Sequence, residues 1–396
     1  AIVWLDLVFF FGGGVGMDRS GRRDQDRDGA VTSSGEQRLL SLDALRGFDM
    51  FWIMGGDTLA VAALSLYPDA RAVRLRAQFE HVEWAGFRFY DLIFPLFLFL
   101  VGCVIPYSLG RYQSQPSTAA LRILRRVALL VLLGLTANGL LRLEPATLRY
   151  CGVLQRIGVC YGIAATLYLL FRVRGLALIT AGILLGYWAV LALVPAPGGV
   201  PGDYSRAGNL AGWLDRRLLP GRIPPQWYGF GDNEGLLSTI PAVATALLGV
   251  LAGLWLKSGR SGLLKAAGLA VAGVVLVFAG YEWARWFPII KNIWTSSFVL
   301  VAGGYSLLLL SVFYLLIDVA GLRRPAFFWS VIGVNAITIY MVPRFVDFDR
   351  IAAFFVGGVA RQLGGQWSAV LLATGALAAQ WLFLYWLYRT KTFLRL

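Results

Sequence analysis

Runs of about 18 or more apolar residues recur along this chain, and each is long enough to cross a ~30 Å hydrocarbon core as an α-helix. Backbone polar groups inside a bilayer must be satisfied within the protein, so only helices and closed barrels can span it. The runs are continuous rather than alternating, which selects helices. Composition agrees: 58% of the 396 residues are hydrophobic and only 15% are charged. A soluble domain keeps roughly a quarter of its residues charged. The expected fold is an all-α, polytopic transmembrane bundle of about ten spans. Their approximate bounds are 42–65, 90–109, 120–141, 151–171, 175–194, 235–256, 263–283, 295–317, 326–343 and 366–388.

The net charge of +14 does not mark a nucleic-acid binder. The arginines are spread over short connections between spans, as the positive-inside rule requires. Arg111, Arg122, Arg125 and Arg126, then Arg172 and Arg174, then Lys257, Arg260 and Lys265, then Arg323 and Arg324 share one side if there are ten spans, together with Arg19, Arg22, Arg23, Arg27 and Arg38 at the start and Arg389, Lys391 and Arg395 at the end. Both termini are then cytoplasmic. The other side receives 66–89, the 142–150 turn, the loop 195–234 and the segment 344–365. The loop 195–234 is rich in Gly and Pro, and its Trp213, Trp227 and Tyr228 suit a membrane interface or a sugar-binding rim. Cys103, Cys151 and Cys160 all lie in apolar stretches without metal-ligand or disulfide spacing, and read as small buried hydrophobes.

The start of the chain reads differently. Residues 1–37 are expected to be disordered or to include sequence upstream of the natural start, with Met17 as that start. The apolar stretch Ile2 to Phe11 has no positive charge before it, so it does not read as a signal peptide. Residues 38–396 form the membrane domain.

Polar groups inside or beside a span are costly, so each needs a reason. Asp43 and Arg46, three apart, can pair on one helix face, or Arg46 can meet an anionic ligand entering from the cytoplasm. Asp57 follows Gly55-Gly56 near the far end of the first span. His81 is the only histidine, so any chemistry that needs an imidazole must use it. Glu80 and Glu83 flank it, Asp57 and Asp91 lie at the ends of the adjoining spans, and a carboxylate could set its tautomer, with Asp57 the one expected to do so. Gln155 and Arg156 fall inside a span, where Arg156 needs an acidic partner, a wet cavity or a bound anion. Asp232-Asn233-Glu234, Lys291-Asn292 and Asn335 are further polar points.

Taken in order, these stretches resemble the membrane domain of the heparan-alpha-glucosaminide N-acetyltransferase family and its bacterial relatives. The resemblance rests on Ser41-Leu-Asp-Ala-Leu-Arg-Gly47, His81-Val-Glu-Trp-Ala-Gly86, Asp91-Leu-Ile-Phe-Pro-Leu-Phe-Leu-Phe-Leu-Val-Gly102 and Gly152-Val-Leu-Gln-Arg-Ile157. It continues through Glu234-Gly-Leu-Leu-Ser-Thr-Ile240, Lys291-Asn-Ile-Trp294 and Asn335-Ala-Ile-Thr-Ile-Tyr340. What it implies is a membrane acetyltransferase with cytosolic acetyl-CoA as co-substrate, no metal, and a sugar or glycan acceptor across the membrane. His81 matches the family's catalytic histidine, with Asp57 orienting or balancing it. Arg46, Gln155, Arg156, Lys291 and Asn292 are the expected acetyl-CoA-side residues, Gln155 or Asn292 being candidates for the oxyanion. Two departures bear on the acceptor: Asp57 stands where the lysosomal enzyme has asparagine, and Pro343 where it has histidine. The lysosomal enzyme's lumenal N-terminal domain has no match either, so heparan itself is not the expected acceptor. The expected setting is a bacterial cytoplasmic membrane in contact with lipid, and homodimerisation stays open. The competing reading is a secondary transporter with Asp57, His81 and Arg156 as a polar relay.

Overall fold

The structure, a computed structural model, describes residues 39–393 except 68, 224, 226 and 227. The expectations for residues 1–37, for Met17, and for Arg38, Trp227 and Arg395 therefore lie outside the described residues. All regular structure among the described residues is helical, with two isolated β-bridges.

The first helix among the described residues, α1 (Leu40–Phe51), continues through a π-helical turn (Trp52–Gly56) into α2 (Asp57–Leu64). The break sits at Gly55, whose φ of 116° is costly for a residue with a side chain. The carbonyl of Met54 at this break accepts a hydrogen bond from Nε2 of Gln380 at 2.8 Å. A short helix, α3 (Ala70–Arg76), follows on the connection to α4 (Ile93–Leu109). Then come α5 (Pro116–Ala137), α6 (Val153–Leu170), α7 (Val173–Leu193) and the short α8 (Leu210–Leu218). The chain continues with α9 (Leu236–Lys257), α10 (Gly262–Trp283) and α11 (Ser296–Phe313), the last extended by a π-helical turn to Val319. It ends with α12 (Arg323–Val334), α13 (Ala336–Met341), α14 (Phe348–Leu363) and α15 (Gly365–Arg389).

Seven helices among the described residues are long and apolar enough to cross a membrane, or eight if the bent pair Arg323–Val334 and Ala336–Arg344 is one span. The two remaining expected spans fold as helices but fall short for identifiable reasons. The span at 42–65 is interrupted by the π-helical turn and carries Asp43, Arg46, Asp49 and Asp57. The span at 120–141 carries Arg122, Arg125 and Arg126.

Three expectations need correction. The span at 326–343 is not continuous, because its two halves meet at 59° around Asn335. Segment 344–365 is not a plain connection. Most of it is α14, whose first amide groups are capped by Asp347 (Oδ1 accepts from Arg350 N at 2.9 Å) and which packs along α15. The loop 195–234 also contains a helix, α8, with Asn209 accepting from the Gly212 amide at 2.7 Å as its N-cap.

Helices at the centre of the bundle touch backbone to backbone. A Cβ built on Gly47 would lie 1.7 Å from the carbonyl oxygen of Trp329, and one on Gly333 would lie 1.9 Å from that of Asp43. Small residues permit this approach in membranes, where packing rather than hydrophobic exclusion drives helix association. The contact brings α1 against α12 and directs Met50 and Ile53 toward the same space as Ala336, Ile337 and Tyr340 beyond the Asn335 bend. Buried aliphatic and aromatic residues of α4, α6, α9 and α11 fill the remaining centre.

Candidate functional site

His81 lies on the connection before α4, and its position is set by two local devices. The carboxylate of Asp91 accepts from the amides of Val82 (3.4 Å) and Arg88 (3.1 Å), folding the segment back onto the start of the helix. Ala85 pairs with Ile290 in an antiparallel bridge, and Gly86 N donates to Ile289 O at 2.8 Å. That bridge brings the Lys291–Trp294 turn beside His81, although 210 positions separate Lys291 from it.

The result is a cluster of three ionisable groups. Nδ1 of His81 is 2.8 Å from Oδ1 of Asp91. Nζ of Lys291 is 3.4 Å from the same oxygen, 3.0 Å from Nδ1 and 3.5 Å from Nε2 of His81. The Asp91 side chain is 1% exposed, that of Lys291 16%, and that of His81 53%. A carboxylate can only accept, so the proton of the neutral imidazole is placed on Nδ1 and the lone pair on Nε2. Lys291 then donates to Asp91 rather than to Nδ1. Burial pushes the Lys291 ammonium below its ordinary range, and the neighbouring Asp91 opposes that shift. The ring of Tyr90 lies against the imidazole at 4.8 Å.

The carboxylate on His81 is thus Asp91, not Asp57 as the sequence suggested. Asp57 instead accepts from Thr58 Oγ1 (3.4 Å) and from the phenol of Tyr90. Its distance along the chain was a poor guide, because the connection 65–88 carries His81 away from α2 and back onto the start of α4.

His81 and Lys291 line a cavity of about 270 Å³. Its other walls are Met50 of α1, Ile53 of the π-helical turn, Tyr90, Ile93, Phe94 and Phe97, Val153, Leu154 and Ile157, Asn233, Glu234, Trp294, and Ala336, Ile337 and Tyr340. Ile53, two residues before Gly55, and Ala336, next to Asn335, both line it. A second, wide-open cleft of about 370 Å³ along α14, lined by Asp347, Arg350, Ile351, Phe354 and Phe355, contains none of the expected site residues.

The other expected residues are distributed around this cavity. Arg156 is 2% exposed and stacks on Trp294 at 5.0 Å, with Nη2 donating to Gly235 O and Ser238 Oγ. Its partners are thus neutral oxygens and an aromatic face. Gln155 is buried beside it. Arg46 pairs with Asp43 at 3.4 Å, about one helical turn before the cavity-lining Met50. Asn292 occupies the turn beside Lys291 without lining the cavity.

Sequence reasoning missed one assembly. Arg149 donates to Asp232 through Nε (2.8 Å) and Nη2 (2.6 Å), and Nη2 also donates to Glu234 Oε2. Asp215 accepts from the amides of Asp232 (3.1 Å) and Leu236 (2.9 Å), pinning the turn that presents Asn233 and Glu234 to the cavity. Burial lifts the Asp215 carboxyl to about 6, an effect opposed by those two amides. Asp232 and Glu234 stood out in the sequence as polar points, but spacing alone could not pair them with Arg149 or Asp215.

No family model matches the chain. Among curated proteins it is similar to human (Homo sapiens) heparan-alpha-glucosaminide N-acetyltransferase, at 30% identity over 321 residues, 66% of this chain and 48% of the relative. The mouse (Mus musculus) protein of the same name is 28% identical over 321 residues with the same coverage. The chain spans about half the length of these curated relatives. The helical, membrane-type architecture of the described residues and this similarity together support homology to the family of heparan-alpha-glucosaminide N-acetyltransferase.

Proposed function

We propose that this protein is an integral membrane acyltransferase that moves an acetyl group from cytosolic acetyl-CoA to a sugar or glycan acceptor on the far side of the membrane. The observation that carries the reading is the chain's only imidazole, held by a buried carboxylate at the wall of a cavity between membrane helices. With Nδ1–H donating to Asp91, Nε2 is available as a base or nucleophile. Acting as a base, it takes the proton of the acceptor amine or hydroxyl while that group attacks the thioester carbonyl. Acting as a nucleophile, it forms acetyl-imidazole first and passes the acetyl group on. On both routes the C–S bond breaks and CoA leaves as the thiol. The Lys291 ammonium, 3.5 Å from Nε2, is placed to stabilise the negative charge that develops on the carbonyl oxygen. Arg46 and the Arg122–Arg126 group would draw the CoA phosphates from the cytoplasmic face.

This reading goes with ten spans, both termini in the cytoplasm, and a bacterial cytoplasmic membrane as the setting. The transporter alternative finds less support. Asp57, His81 and Arg156 bond to different partners, and no shared hydrogen-bond path joins them among the described residues.

Purified protein incubated with acetyl-CoA tests the proposal. CoA thiol should be released and, on the nucleophilic route, mass spectrometry should find acetyl on His81. A folded protein that binds no acetyl-CoA and releases no thiol in the presence of amino-sugar and neutral-sugar acceptors would overturn it.

A further inference from the structure

We infer that Arg122, Arg125 and Arg126 of α5, joined by Arg111 from the turn after α4, bind the phosphate of an anionic phospholipid. The inference does not depend on the acyl-transfer reading. It begins from the length of α5 that lipid can accept. The helix runs over Pro116–Ala137, and its three arginines lie in the N-terminal half. Beyond Arg126 the apolar stretch 127–137 spans only about 16 Å, roughly half of a ~30 Å hydrocarbon core. The helix therefore reaches across only where headgroups come down to the level of the arginines.

Snorkelling toward water does not resolve this for Arg126. Its guanidinium lies 4.5 Å from the centroid of the Tyr161 ring, which is 3% exposed and belongs to the middle of α6. Its Nε is buried without an acceptor. A ring face offsets only part of the cost of an intramembrane cation. Nearer the helix start, Arg111 and Arg122 share one ring, that of Tyr112, at 4.9 and 4.5 Å from its centroid. Two like charges are thereby held within about a Debye length of each other. No Asp or Glu occurs between Asp91 and Glu144, nor between Glu144 and Asp203. None of the four arginines forms an ion pair among the described residues. The compensating anion comes from outside the chain.

Phosphate suits these groups, because a guanidinium takes its oxygens in pairs. The position of the cluster favours a lipid as the source. Helix α5 packs against α6 and supplies no residue to the His81 cavity. Leu121 and Leu124, on the turns that carry the arginines, are 68% and 65% exposed, which gives acyl chains a surface to lie on. Attraction of CoA toward this face, as proposed above, acts at longer range through the summed charge and leaves the close contacts to the lipid.

The test places the full chain in nanodiscs of phosphatidylcholine containing a minority of phosphatidylglycerol, and native mass spectrometry identifies the lipid that stays bound on release. Wild-type protein should hold phosphatidylglycerol in preference to phosphatidylcholine. Replacing the α5 arginines together, Arg122→Gln, Arg125→Gln and Arg126→Gln, should cut that preference about tenfold or more. Arg172→Gln with Arg174→Gln, which removes charge from the same proposed face, should change it by less than about twofold. Added CoA and inorganic phosphate should leave the lipid in place. Equal retention of the two lipids by the wild-type protein overturns the inference, whether or not the variants fold. So does an equal loss in the Arg172 and Arg174 double variant, which would reduce the site to net charge. Displacement of phosphatidylglycerol by CoA or by inorganic phosphate overturns it in favour of a site for soluble phosphates.

Discussion

Oδ1 of Asp91 stands 2.8 Å from Nδ1 of His81, and Oδ2 of the same carboxylate is within 3.1 Å of the Arg88 amide. One buried side chain thereby sets both the tautomer of the imidazole and the fold of the segment that carries it. His81→Ala should lower acetyl transfer by about 10²–10⁴ with acetyl-CoA binding retained, because no second imidazole exists to replace it. Asp91→Asn should cost a comparable factor, since an amide can donate to Nδ1 and so favour the wrong tautomer. Asp57→Asn should cost much less, because Asp57 contacts Thr58 and Tyr90 and not the imidazole. Rates and acetyl-CoA affinity measured on the three variants check the order. A larger loss in Asp57→Asn than in Asp91→Asn would refute the assignment.

The contact between α1 and α12 makes a prediction about stability. Gly47→Ala would set a methyl group 1.7 Å from the Trp329 carbonyl oxygen, so backbone must move. Overpacking of this kind costs about 1–3 kcal/mol or more. Thermal unfolding in detergent should show a clear loss for Gly47→Ala. Gly182→Ala, at a position with nothing within 4 Å of the added group, should show none.

Asp215 gives a pH dependence with a defined sign. Its carboxyl is raised to about 6 from 3.8, so between those values the folded state binds more protons than the unfolded state. Stability from this group therefore falls as pH rises through that window and is fully present below about pH 4. The difference in unfolding temperature between wild type and Asp215→Asn, followed from pH 4 to 7, should move against the wild type as pH rises. A difference that stays constant would show that Asp215 does not titrate there.

The proposed orientation predicts that a cysteine introduced at Gly208 reacts with an impermeant reagent added outside intact cells. A cysteine at Arg260 should react only after permeabilisation. The reverse pattern would invert the topology.

Much of the architecture was legible because continuous apolar runs leave the backbone no alternative to helix in lipid. The Gly55-Gly56 pair was a legible break point, since two glycines permit one. The bend at Asn335 was not, because the surrounding run stays apolar enough for a reading by period to pass straight through it. Helix α14 was overlooked for the opposite reason, being amphipathic instead of continuously apolar. Its signal was present in Asp347 as an N-cap and in Phe348, Ala352 and Ala360 on the buried face at multiples of four. At the site, His81 stood out because it has no competitor. Its two partners did not, since Asp91 reaches it through a turn and Lys291 through the bridge between Ala85 and Ile290.

The carboxylate of Asp318 accepts from the amides of Leu40 and Ser41, at 3.3 and 3.2 Å, 278 and 277 positions earlier in the chain. Those amides open α1, where no residue within the helix can satisfy them. During synthesis they emerge long before Asp318 does, and the Met54 carbonyl at the break waits longer still, for Gln380. Helix α1 is consequently completed only by partners far along the chain. A chain cut short before α15 would carry His81, Asp91 and Lys291 and still lack the brace at the Gly55 break.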